Sequence, residues 1–179
     1  MKINVREYLL YYHQVQFLMD KILARCAQYT GNANMVFASC GGERRGDHMA
    51  ILEKCHDTKT FESNSMNAIC RADRLKTICI FPKNNPEMSI DRLQNTHFGG
   101  PRLLYEVGKI IKAEEYNEEI YTGIQYYKTP QAAFYCDIQP LLGEMKYTGE
   151  YCNYNIDGTV YAIYYFDNGE MKSSNLRPW

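Results

Sequence analysis

The chain lacks any apolar run near the roughly 20 residues that a membrane-spanning helix needs, so no transmembrane segment is expected. It shows no charged head followed by an apolar core and a small-residue cleavage site, the pattern of a secretory leader. No Asn-x-Ser/Thr acceptor occurs. Close Cys-x2–4-Cys pairs, which announce structural zinc, are also missing. Seven cysteines are nevertheless present, at 26, 40, 55, 70, 79, 136 and 152. Their odd number and even spacing do not suit the disulfide framework of a secreted domain. The expectation is a cytoplasmic protein without metal or cofactor. A surplus of charge of one sign is absent too: 20 Lys and Arg face 21 Asp and Glu, for a formal net charge of -1. Nucleic acid and anionic membrane both call for a local cationic excess, so neither is an expected partner.

What is present is unevenly spread. From position 105 onward six basic residues meet eleven acidic ones, leaving this part at -5. Tyrosine is missing between positions 30 and 104, whereas twelve of the sixteen tyrosines fall between 105 and 165. With the His97–Pro101 stretch HFGGP as punctuation, this shift divides the chain into a helix-rich α/β part over 1–100 and a tyrosine-rich part over 101–179, within one compact unit.

Apolar periodicity supplies the elements. REYLLYYHQVQFLMDKILARCAQY, with Leu9, Tyr12, Met19, Leu23 and Cys26 at helical spacing and Gly31 as its stop, predicts a helix of about 25 residues. Asn34 to Ser39 and TICIF at 77–81 read as strands. His48 to Cys55, with Asp47 as cap, reads as a short helix, as do Ser65 to Leu75 and a segment running through Leu93. Leu103 to Ile111 fits either period and is assigned to helix. Thr129-Pro130 opens another helix, with Thr as cap and Pro at its first position. From Lys146 two turns, Asp157-Gly158 and Asn168-Gly169, separate β-branched and aromatic runs and predict an antiparallel meander. The expected fold is therefore α+β: a long N-terminal helix and short helices packed on mixed or antiparallel strands, ending in that meander.

The stretch FASCGGERRGDH, Phe37 to His48, comes nearest to chemistry. Cys40 at a strand end, with His48 close by, would suit a thiol nucleophile and its base. Gly41, Gly42, Arg44 and Arg45 form a cationic glycine turn able to hold an anionic small molecule. The spacing excludes more specific motifs. A protein tyrosine phosphatase loop would need arginine at position 46, where Gly46 stands, and a P-loop would need a closing Lys-Ser/Thr. The carboxylates Glu114, Glu115, Glu118 and Glu119 have the pattern of a solvated face. Tyr147, Tyr151, Tyr161 and Tyr164 supply more aromatic surface than three short strands must bury, which suits a protein interface.

These observations favour a small intracellular accessory protein that acts by protein–protein binding, its partner another protein or a second copy of itself. The competing expectation is a cysteine-dependent enzyme, or a sensor of a phosphorylated small ligand, built on the 40–48 loop.

Overall fold

The computed structural model describes residues 17–41, 46–62, 68–95, 102–118, 122–136 and 148–176. The molecule is mostly β, with 47% strand and 12% helix among these residues. The α+β expectation is thereby corrected. Among the described residues helix is confined to α1, residues 17–26, and α2, Pro130–Tyr135. Positions 6–16 of the expected long helix lie outside the described residues.

Twelve strands carry the rest: β1 Met35–Cys40, β2 His48–Glu53, β3 Thr60–Glu62, β4 Cys70–Ala72, β5 Arg74–Pro82, β6 Arg92–Gln94, β7 Leu104–Glu106, β8 Ile110–Lys112, β9 Ile124–Tyr126, β10 Gly149–Tyr154, β11 Val160–Asp167 and β12 Glu170–Leu176. They form four sheets, ordered β1-β2-β5-β8, β3-β4-β9, β6-β7 and β10-β11-β12. Strands from both sides of position 100 share the first three. Four of the predicted helices are strands. His48–Glu53 buries Met49, Ala50, Ile51 and Leu52 in succession, because β2 is covered on both faces and so shows no period-two alternation. Ser65 to Leu75 contains β4 and the start of β5, its first residues lying outside the described set. Leu103 to Ile111 is broken at Gly108, whose φ of 82° lets the chain turn between β7 and β8. The segment that was to be helical through Leu93 is β6.

The pairings close on themselves. β9 pairs with β4, and β4 passes through a bend at Asp73 into β5. β5 pairs with β2 and β2 with β1. β1 then returns to β9 through a bridge between Phe37 and Tyr127, with N···O distances of 2.8 and 2.7 Å. The strands thus wrap into a small ring. Alternation along each strand sorts the side chains. Val36, Ala38, Cys40, Ala50, Leu52, Cys70, Ala72, Leu75, Ile124 and Tyr126 make one core cluster inside the ring. Met35, Phe37, Met49, Ile51, Phe81 and Tyr127 make a second, on the outside, where the helices cover them.

α1 meets that outer face through Met19, Ile22 and Cys26, one stripe at helical spacing. Arg25 anchors it: the guanidinium donates to the Met88 carbonyl at 2.8 Å, to Ser89 Oγ at 2.6 Å and to the Pro86 carbonyl, and stacks over Phe81 at 4.5 Å. α2 begins as the sequence predicts, with Thr129 Oγ1 accepting from the Ala132 N–H and Pro130 opening the first turn. The C-terminal meander also forms as expected, β10, β11 and β12 running antiparallel in order.

Candidate functional site

One mouth of the ring gathers the residues singled out around Cys40. Register makes Cys40 and His48 direct cross-strand partners, and puts His48 opposite Pro82 on its other side. Direct partners project to the same face, so the strand pairing itself sets thiol beside imidazole. Asp47 Oδ1 lies 2.7 Å from His48 Nδ1. Asn95, 7% exposed, accepts the Gly41 N–H on its side-chain oxygen at 3.1 Å. Cysteine, histidine and aspartate therefore stand together at one place in the fold.

The state of the sulfur decides what they can do. Cys40 is 1% exposed and packs in the inner cluster with Val36, Ala50 and Tyr105. Burial pushes its thiol up to about 12; the Lys83 charge opposes this and Asp47 adds to it. A thiol held protonated and out of reach of water is a structural group and a poor nucleophile. Gly42, Arg44 and Arg45, the rest of the anion-binding turn, lie outside the described residues.

A second arrangement was not foreseen. Ser39, next to Cys40 and so on the opposite face of β1, has its Oγ 2.9 Å from Lys83 Nζ, and Lys83 is 6% exposed. A serine hydroxyl on a buried lysine is also the pairing of Ser-Lys hydrolases. Here the same Nζ donates to the carbonyls of Phe134 at 3.0 Å and of Ala133 and Cys136 at 3.3 Å each. Carbonyls can only accept, so these contacts use Nζ as a hydrogen-bond donor to the backbone, a positioning role different from that of a base aimed at the serine. Lys83 is the cationic cap on the C-terminus of α2. Nothing in the turn-rich stretch PKNNPEMS distinguishes it in the sequence.

The other mouth of the ring is closed by charge. Glu62 meets Lys54 Nζ at 3.0 Å and Lys128 Nζ at 2.5 Å, and accepts the Tyr126 hydroxyl at 2.9 Å. Burial pushes this carboxyl up, but hydrogen bonds from Lys128, Lys54 and Tyr126 outweigh it and hold the group down at about 2. Among the described residues no group of three or more His, Cys, Asp or Glu is placed to hold a metal ion. None of their helices is long and apolar enough to cross a membrane.

The tyrosine surface is distributed differently from the expectation. Tyr151 is buried, edge-on to Tyr135 of α2 at 5.8 Å and in contact with Tyr164 at 6.0 Å and Phe166 at 6.4 Å. Tyr154 stacks on the same Tyr135 ring at 6.0 Å. These rings attach the meander to α2. Tyr161 and Tyr164 are half-buried, with Tyr161 accepting from Asn153 Nδ2 at 3.2 Å. Tyr147 lies outside the described residues. Among the described residues of the meander, the large apolar side chains that do face solvent are Tyr165, 45% exposed, and Met171, 57%. Alternation could have found Tyr165: it is out of phase with Ala162, Tyr164 and Phe166, the residues of β11 that face the core. Every residue of β12 from 170 to 175 is exposed. Comparison with protein-family models, with curated proteins and with solved structures finds no match to this chain.

Proposed function

We propose that this chain is an accessory protein that works by binding another protein, and that the outer side and edge of the C-terminal meander form the contact surface. One observation carries the reading: β12 ends its sheet, no other described strand pairs with its outer side, and its residues 170–175 are exposed. An edge strand of this kind offers a row of backbone donors and acceptors to an incoming segment. The opposite edge, β10, lies against α2 through Tyr151 and Tyr154. Tyr165 on one face of the sheet and Met171 on the other, opposite Phe166, flank the open edge and add apolar contact area, at low entropy cost for the rigid ring. The burial of Cys40 and the use of Lys83 Nζ as a donor to three backbone carbonyls weigh toward binding over catalysis. A cytosolic setting suits a chain in which none of the seven cysteines forms a disulfide.

The test is affinity capture read by native mass spectrometry, with wild type, Tyr165→Ala/Met171→Asp and Cys40→Ala compared after circular dichroism has shown each to be folded. The expected result is a complex with wild type and with Cys40→Ala that the double variant loses. Loss with Cys40→Ala and retention with the double variant would overturn the reading.

A further inference from the structure

Resting on that reading, we infer that the occupant of the β12 edge is an extended, lysine- or arginine-rich segment of a partner protein, added to the sheet as a fourth strand. The argument begins with what guards the edge. Natural edge strands are protected by proline, bulges or charged side chains. In β12 the register pairs Tyr165 with Ser173 and Phe166 with Met171, stepping over Lys172 as a bulge. Bulge and lysine both lie near the hairpin end. Beyond them Ser173, Ser174, Asn175 and Leu176 have no charge, no proline and no register shift. This half of the strand is an unguarded template, and its three leading side chains are too small to screen the backbone.

Charge then selects the occupant. The meander from 148 to 176 contains Glu150, Asp157, Asp167 and Glu170 against a single cation, Lys172, for a net charge of -3. Lys172 Nζ is already 2.6 Å from Glu170. Register lays Glu150, Tyr165 and Ser173 in one row across a face of the sheet, so a carboxylate and an exposed ring lead to the open half of β12. A lysine or arginine on an added strand opposite Ser173 would reach toward the Tyr165 ring, combining a cation–π contact with attraction to the net negative meander. A second copy of this chain would bring another net -3 to the same edge, and like charges across strands repel. The geometry therefore favours a basic partner over self-association.

Three short fluorescent peptides test this by anisotropy titration: one alternating lysine and valine, its glutamate–valine counterpart, and the lysine peptide N-methylated on alternate backbone nitrogens. The lysine peptide is expected to bind and the glutamate peptide not to. N-methylation should weaken binding about tenfold, as the loss of one or two net hydrogen bonds implies. Glu150→Gln/Tyr165→Ala should weaken it by a similar factor, and added salt should weaken it further. Equal binding of lysine and glutamate peptides, indifference to N-methylation, or no binding at all would overturn the inference. If no peptide binds while capture still depends on Tyr165 and Met171, the binding function stands and only the basic occupant falls. A dimer in sedimentation that Ser174→Lys disperses would give the edge to a second copy, and would also overturn it.

Discussion

Among the described residues Lys83 Nζ donates to four oxygens, Ser39 Oγ and the carbonyls of Ala133, Phe134 and Cys136, and so ties β5 to the C-terminus of α2. Lys83→Met keeps most of the stem but leaves the α2 carbonyls short of donors. The expected loss is about 2–3 kcal/mol in urea unfolding, larger than that of Ser39→Ala. Thr77 presents the reverse case: fully buried, its Oγ1 has no hydrogen-bond partner. Thr77→Val removes an unsatisfied hydroxyl at nearly constant shape and should raise stability by about 1 kcal/mol on the same measurement. Glu62 sets a pH dependence. Its folded value near 2 is below the ordinary 4.5, so its contribution is full above the unfolded value and disappears as pH falls from about 4.5 through about 2. The urea midpoints of wild type and Glu62→Gln should therefore lie furthest apart near neutral pH and converge on acidification. At this scale the sequence was a partial guide. It placed Cys40 near His48 but could not show that the thiol turns inward, because that depends on the phase of β1 relative to a core assembled from distant strands.

Among the elements, the legible ones were those with local signals. Asn168 and Gly169 both take positive φ, 53° and 81°, the two-residue turn that their identities announce. Thr129-Pro130 starts α2 for equally local reasons. The strands read as helices had no such marker: β2 is apolar on both faces, and β6, β7 and β8 have only three residues each, too few to establish a period. The hairpin between β10 and β11 is held to α2 by a close approach. Gly158 has φ of 88°, and a Cβ there would collide with Cγ2 of Thr129, the cap of α2. Gly158→Ala meets both a strained backbone and a clash, and should cost about 1–3 kcal/mol in thermal or urea unfolding. The cap and the turn should loosen together.

For the molecule as a whole, the two hydrophobic clusters of the ring are far larger than the one under the meander, which among the described residues is built on buried Tyr151 and Phe166. Local stability follows buried contact, so amide hydrogen exchange should be slowest in β1, β2 and β5 and markedly faster in β12. Protection in β12 equal to that in β2 would contradict this. Such an order fits a surface that receives partners mounted on a scaffold that does not yield. The bridge between Phe37 and Tyr127 has a further consequence, for the birth of the protein. The segment that seals the ring against β1 is synthesised about 90 residues after it, the separation of Phe37 and Tyr127 in the sequence. Until then the inner faces of β1 and β2 wait half-covered. Folding should accordingly be slow and late, with the nascent chain dependent on holding chaperones until Tyr127 emerges.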